Sequence, residues 1–128
     1  MTASNDPLLQ PFQLKHLTLK NRVMSTSHEP AYSDDGMPKE RYRLYHAEKA
    51  KGGMALTMTA GSAIVSRDSP AAFGNLQAYR DEIVRWMREL VDSCHEHDCK
   101  VMIQLTHLGR RTGWNRAEQT ISPARPSS

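Results

Sequence analysis

The chain has 128 residues, with 17 Lys and Arg, 14 Asp and Glu, and a formal net charge of +3 at pH 7. This length accommodates one compact domain and excludes two domains of ordinary size. The small charge excess, without a run of five or more like charges, gives no reason to expect a nucleic-acid partner. Hydrophobic residues make up 38% of the chain, which permits only a modest core.

Signals for membranes and secretion are absent from the sequence. No apolar stretch approaches the roughly 18 residues of a membrane span, and the N-terminus lacks the charged and then apolar pattern of a secretory signal. We therefore expect no membrane partner. The two cysteines, Cys94 and Cys99, are too few for a disulfide framework, so we expect a reducing compartment, the cytoplasm.

The first expected elements are a small hairpin and a short strand. Residues 11–20 alternate apolar and polar side chains, with a slip at His16 and Leu17. That pattern indicates two short strands joined by a turn. Residues 22–27 are typical of a further strand, which ends in a long polar loop.

A helix and a second strand follow this loop. Residues 39–51 are mostly good helix formers, and Pro38 stands where a first helical turn tolerates proline. Gly52 and Gly53 stop the helix, because glycine accepts the left-handed backbone that ends many helices. Residues 54–59 then predict a strand.

The second helix has the clearest periodicity in the sequence. Apolar residues recur at spacings of three and four between residues 79 and 97, which predicts an amphipathic helix. Residues 62–77, which precede it, contain several turn-forming residues and are expected to form a loop. Residues 100–105 are mostly apolar and predict a third strand.

The element order therefore predicts an α/β fold: a hairpin followed by β-α-β-α-β. Strands that are apolar on both faces and that follow helices are typical of a parallel sheet covered by helices. Three such strands leave an open sheet edge, which is a template for pairing. We therefore expect self-association, or a second chain that completes the sheet.

Polar clusters follow each predicted strand of the parallel sheet, at residues 25–28, 59–61 and 104–111. Ligands of parallel α/β folds bind at these carboxyl ends. Gln104 stands in an otherwise apolar strand, and a buried amide without hydrogen bonds costs about 1–3 kcal/mol. Either a neighbouring loop or a ligand could satisfy it. His107 could likewise contribute to a site for a planar or anionic ligand, or be a structural histidine in a solvated loop.

A metal site is not expected. Cys94, His95, His97 and Cys99 lie close together in sequence, but a helix points side chains at these spacings in several directions, which does not suit a tetrahedral site. Buried or half-buried thiols are the better interpretation of the two cysteines, because unpaired cysteine is among the most buried residue types.

Three motifs resemble the N-terminal portion of the Old Yellow Enzyme family: Asn21-Arg22, Gly52-Gly53 and Gln104-x-x-His107-x-Gly109-Arg110. The loop of residues 28–38 is more similar to the branch with dienoyl-CoA reductases and methylamine-type dehydrogenases and demethylases. The resemblance covers residues 8–127. It implies an FMN-dependent NADH:flavin oxidoreductase, of which this chain, residues 1–128, is the N-terminal part of a TIM (β/α)8 barrel.

The resemblance also implies a role for four residues in FMN binding. Ser27 and His28 match the loop that lies along the isoalloxazine ring, and Gly61 matches a close backbone approach to the flavin. Gln104 matches the amide that hydrogen-bonds the pyrimidine part of the ring. Hydride would pass through the flavin between NAD(P)H or an electron carrier and a small-molecule substrate, either an activated alkene or an N-methylated amine.

Departures from the family pattern limit what can be assigned. Some amine dehydrogenases of this branch attach FMN through a cysteine after the first strand, but this chain has His28 and Glu29 there, so we expect non-covalent flavin. The proton donor and any iron–sulfur ligands of a full-length protein match positions outside this chain. No catalytic residue is assigned, and we expect the chain to be inactive alone. The alternative is a non-catalytic βαβ interaction module derived from such a barrel.

Overall fold

The computed structural model describes residues 5–59, 63–69, 71 and 74–109. The chain begins with a 3-10 turn, Pro7–Leu9, and an antiparallel hairpin formed by β1 (Phe12–Leu14) and β2 (Leu17–Leu19). Phe12 lies opposite Leu19 in this hairpin. Both strands fall inside the segment 11–20 that the alternating pattern indicates.

A parallel sheet of three strands forms the centre of the molecule. Its strands are β3 (Met24–Ser25), β4 (Leu56–Met58) and β7 (Lys100–Met102), and they lie in the order β3-β4-β7. Helix α1 (Glu40–Lys51) connects β3 to β4, and helix α2 (Ile83–His95) lies between β4 and β7. The predicted order of hairpin, β-α-β-α-β is therefore present, although each strand is shorter than its predicted segment.

A second parallel sheet departs from the sequence prediction. The segment 62–77, expected to be a loop, contains β5 (Ala63–Ile64) and β6 (Leu76–Gln77). The predicted strand 100–105 is interrupted after Met102, and β8 (Leu105–Thr106) pairs with β5 in the order β6-β5-β8. At the interruption the Gln104 N–H bonds the Thr59 side chain instead of a carbonyl of the neighbouring strand.

The hydrophobic core lies between the helices and the central sheet. Helix α2 buries Ile83, Leu90 and Cys94 on one face, at the spacings of seven and four residues that a helix requires. Helix α1 buries Tyr42 and His46, and the His46 Nδ1 lies 2.8 Å from the Thr57 Oγ1 in β4. Because both side chains are fully buried, this hydrogen bond joins the helix layer directly to the sheet.

The connection from α1 to β4 depends on one glycine. Gly53 has φ +107°, a backbone conformation that L side chains rarely adopt. Gly52 keeps helical geometry at φ −69°. The left-handed stop that the sequence predicts at this pair is therefore at Gly53, and it lets the chain enter the sheet directly after the helix.

The described residues also show how the two cysteines are buried and how apolar the helices are. Cys94 and Cys99 are free thiols and fully buried, as predicted, although Cys99 follows α2 instead of lying on it. No helix in the part of the chain that the structure describes has the length and apolar character that spanning a bilayer requires.

Candidate functional site

Thr59 joins the carboxyl ends of the three central strands. The Ser27 hydroxyl, after β3, donates a hydrogen bond of 2.8 Å to the Thr59 carbonyl. The Thr59 N–H donates to the Met102 carbonyl at 2.7 Å, and the Gln104 N–H donates to the Thr59 Oγ1 at 3.1 Å. Thr59 is fully buried. It therefore fixes Ser27 and the backbone of Gln104 relative to each other.

The bonds of Thr59 explain the interrupted strand. The Gln104 N–H bonds a side chain instead of a ladder carbonyl, so the regular pairing of β7 with β4 stops there. Pairing resumes when the Ala63 N–H donates to the Gln104 carbonyl at 2.7 Å, which starts the second sheet. The role of Thr59 has only a weak signal in the sequence, a polar residue that ends an apolar strand.

Gln104 presents its side chain at the open face of the sheet. Its backbone N–H and carbonyl are both bonded, while the side chain is exposed. Among the described residues, none bonds its amide. The sequence left open whether a neighbouring loop or a ligand satisfies this amide. In the part of the chain that the structure describes, no loop residue bonds it, and the side chain is exposed instead of buried. The amide is available to a ligand.

The loop after β3 carries His28 and is anchored through Glu29. His28 is exposed. The half-buried Glu29 carboxylate accepts hydrogen bonds from the Ala31 N–H at 2.8 Å and from the Asn75 Nδ2 at 3.1 Å. Burial raises the pKa of Glu29, and these hydrogen bonds act in the opposite direction. The loop is thus tied to the segment between β5 and β6.

Further bonds attach the same loop to residues between Gly74 and Arg80. The Ser33 hydroxyl donates to the Gly74 carbonyl, and the Gln77 N–H donates to the Gly36 carbonyl at 2.9 Å. Arg80 bonds the Asp35 carboxylate at 3.0 Å. Each contact joins residues about forty positions apart in sequence, so the loop that carries His28 has a defined place at this edge.

Four residues carry the predicted FMN contacts, and the structure places three of them. Ser27 and Gln104 meet at Thr59, and His28 follows Ser27 along the loop. Gly61 lies outside the described residues, as does Arg110 of the Gln104 motif. Their assignment to a flavin site stays a prediction.

The side chains that the structure places at this edge from the predicted site are those of Ser27, His28 and Gln104. No group of three or more His, Cys, Asp or Glu side chains that could hold a metal occurs in the described ranges. Away from this edge, at the end of α2, burial and, to a smaller extent, neighbouring Cys99 raise the pKa of Cys94 to about 11, so this thiol stays protonated at neutral pH. The Gln104 amide, in contrast, offers both a donor and an acceptor.

Solved structures share this arrangement of strands and helices. A morphinone reductase in complex with tetrahydroNAD superposes with a TM-score of 0.74 at 22% identity, covering 84% of this chain and 29% of that one. A 2-naphthoyl-CoA reductase complex gives a TM-score of 0.76 at 20% identity, covering 82% of this chain and 16% of that one. The predicted fold class is confirmed: the chain is the N-terminal part of a TIM (β/α)8 barrel.

The sequence identifies the family within this class. The model of the NADH:flavin oxidoreductase / NADH oxidase family matches residues 7–128. The chain belongs to this family, which confirms the resemblance to the Old Yellow Enzymes.

Curated relatives match this chain over a small part of their own length. A probable N-methylproline demethylase of Rhizobium meliloti is 68% identical over 114 residues, which are 89% of this chain and 17% of the relative. A multifunctional alkene reductase/demethylase of Caballeronia cordobensis is 56% identical over 110 residues, which are 86% and 16%. The chain thus spans about a sixth of the length of these relatives.

Proposed function

We propose that this chain supplies the N-terminal part of the FMN site of a flavin oxidoreductase, with Ser27, His28, Gly61 and Gln104 as its cofactor-binding residues. The observation that carries the proposal is the Gln104 amide. Its backbone is held on both sides by hydrogen bonds to Thr59 and Ala63, while its side chain is exposed at the edge where parallel α/β folds bind ligands.

The residues at this edge fit an isoalloxazine ring. The pyrimidine part of the ring carries donors and acceptors along one side, and a carboxamide matches both kinds of group. The Ser27 hydroxyl bonds the Thr59 carbonyl, and Thr59 also bonds the Gln104 backbone. The start of the loop that carries His28 is therefore held close to Gln104. When bound, FMN supplies the hydride and electron chemistry. The protein residues bind the ring, orient it and adjust its hydrogen bonding.

The substrate class follows from the names of the relatives and is a proposal for this chain. A demethylase and an alkene reductase/demethylase support an N-methylated amine or an activated alkene as substrate. NADH or NADPH, or an electron carrier, would exchange electrons with the flavin. His28 and Glu29 stand where a covalent flavin would need a cysteine, so the flavin is non-covalent. An iron–sulfur cluster, if the full-length protein has one, takes its ligands from outside this chain.

Replacing Gln104 should weaken FMN binding without unfolding the chain. We expect Gln104→Leu to raise the Kd for FMN by about three- to tenfold, because a net hydrogen bond contributes about 0.5–1.5 kcal/mol. Titration of the purified chain, followed by quenching of flavin fluorescence, measures this Kd. Gln13→Leu is the matched control, since Gln13 is an exposed glutamine in the hairpin.

Two results would contradict the proposal. The first is the absence of FMN binding by the chain at any accessible flavin concentration. The second is an equal Kd for Gln104→Leu and Gln13→Leu, which would place Gln104 outside the cofactor site. Circular dichroism of both variants separates a lost contact from a lost fold.

A second candidate function is that of a non-catalytic interaction module. Large apolar side chains are exposed at the open face, including Met24 at 46%, Met102 at 40% and Leu105 at 58% exposure. Met24 and Met102 line one apolar surface together with Phe12 and Leu14, and exposed apolar patches mark interaction sites. β3 and β7 lie at the two edges of the central sheet, and β8, which carries Leu105, lies at an edge of the second sheet. This surface favours self-association or a chain that completes the barrel.

Self-association gives a measurable outcome for this surface. We expect size-exclusion chromatography with light scattering to show a dimer or larger species at micromolar concentration. Leu105→Lys should shift the chain toward monomer, because a buried lysine at an interface is costly. Val84→Lys, an exposed apolar site on α2, should leave the distribution unchanged. A stable monomer at all concentrations would exclude self-association and argue against edge completion in general.

A further inference from the structure

The segment that follows Gln104 is held by a set of hydrogen bonds that the proposed flavin contacts do not use. The Val65 N–H donates to the Thr106 carbonyl at 3.1 Å, and the Leu108 N–H donates to the Ser69 Oγ at 3.0 Å. Ser69 is 1% exposed. The segment 104–109 is therefore attached to the segment 59–69 along most of its length.

His107 is bonded through both of its ring nitrogens. The Gly109 N–H lies 3.0 Å from the His107 Nδ1, and the Asp68 Oδ1 lies 3.0 Å from the His107 Nε2. A backbone N–H can only donate, so Nδ1 must be the acceptor. The proton of the neutral imidazole is then on Nε2, where it donates to the Asp68 carboxylate. The two partners together select one tautomer.

Asp68 is ionised and can therefore accept this hydrogen bond. Hydrogen bonds from Ser66 and then from His107 lower the pKa of Asp68, so that it stays a carboxylate. The His107 side chain is 36% exposed and the Asp68 side chain 74% exposed, and a single exposed pair contributes little. The pair affects the direction of the loop, because the same imidazole accepts a hydrogen bond from the Gly109 N–H, where the backbone turns at φ +53°.

We propose that Asp68 and His107 are positioning residues for the flavin site. By holding residues 107–109, directly after β8, they keep β8 and the adjacent Gln104 in place for the cofactor. This inference rests on the proposed function. His107 does not reach the ring itself in this assignment: both of its nitrogens are occupied by Asp68 and Gly109. It acts on FMN affinity only through the placement of Gln104.

Three variants of the full chain test this role. Asp68→Ala removes the acceptor of the His107 Nε2–H and should raise the Kd for FMN by about two- to fivefold, the range that an exposed pair supports. Asp68→Asn keeps an oxygen acceptor and should stay within about twofold of the wild type. Glu89→Ala breaks an exposed ion pair with Arg85 on α2, far from the site, and should leave the Kd unchanged.

Two readouts without flavin separate this inference from the proposed function. Nitrogen NMR of the imidazole should show the Nε2–H tautomer of His107 in the wild type and a mixture in Asp68→Ala. Amide hydrogen exchange at Gly109 should speed up in Asp68→Ala only. If the chain binds no FMN while both readouts behave as expected, the proposed function is contradicted. The role of the pair in flavin binding is then contradicted too, but the contact between Asp68 and His107 is confirmed. An Nδ1–H tautomer, or equal FMN affinity of Asp68→Ala and Glu89→Ala, overturns the positioning role.

Discussion

The free energy of unfolding of this chain should fall by about 3 kcal/mol between pH 6.5 and pH 4 because of His46. Burial and, to a smaller extent, the charge of Lys49 lower the pKa of His46 from 6.5 to about 4. The imidazole is fully buried against Tyr42 and Tyr45 and bonds Thr57. A charged ring would lose solvation there that the fold does not replace.

The sign of the effect follows from proton binding in the two states. The unfolded chain protonates His46 near pH 6.5, whereas the folded chain does so only near pH 4. Between these values the unfolded state binds more protons, so stability decreases as the pH falls. The contribution of His46 is fully present above pH 6.5 and fully lost below about pH 4. One pKa unit corresponds to about 1.4 kcal/mol.

Urea denaturation at a series of pH values measures this effect. His46→Gln removes the titrating group and should flatten the dependence of the free energy of unfolding on pH in this window. The control is His16→Gln, because His16 is exposed in the hairpin turn; it should keep the wild-type slope. An unchanged slope in His46→Gln would show that other groups cause the acid sensitivity.

Truncation of Leu90 should destabilise the fold more than any surface change. Leu90 is completely buried, with 0% of its surface exposed to solvent, and it belongs to the core cluster that includes Tyr42 and Cys94. We expect Leu90→Ala to lower the free energy of unfolding by about 2–5 kcal/mol, because it loses buried apolar area and leaves a cavity. In a chain of this size that is a large part of the total stability.

Val84→Ala on the same helix is the matched control. Val84 is 58% exposed, so its truncation should change the free energy of unfolding by less than about 0.5 kcal/mol. The midpoint of urea denaturation reports both changes, provided that the slope m is constant. Equal shifts for the two variants would mean that α2 does not pack as described.

Elements with a repeating pattern could be predicted from the sequence. The spacing of Ile83, Leu90 and Cys94 indicates the buried face of α2, and the alternation in residues 11–20 indicates the hairpin. Both patterns repeat over several residues, so a local rule is sufficient to find them. The helix itself begins at Ile83, four residues after the predicted start, since helix ends carry weaker signals than helix centres.

The second sheet could not be predicted, because its strands are too short to show a period. Ala63–Ile64 and Leu76–Gln77 have two residues each, and β8 begins directly after Gln104, whose N–H bonds the Thr59 side chain instead of a ladder carbonyl. The exposure of Gln104 could not be predicted either. The sequence shows a polar residue in an apolar strand, but it does not show which neighbouring residues cover its side chain. The site role of Gln104, like those of Ser27, His28 and Gly61, stays a prediction.

The segment between β4 and α2 has a consequence for engineering this barrel. It holds the loop after β3 through the Asn75 contact with Glu29 and the loop after β8 through the Asp68 contact with His107. An insertion or deletion in this segment would displace both loops together, whereas a change within either loop would displace only one. Libraries that aim to reshape the carboxyl edge of the sheet can therefore vary loop residues singly, but should keep the length of this segment fixed.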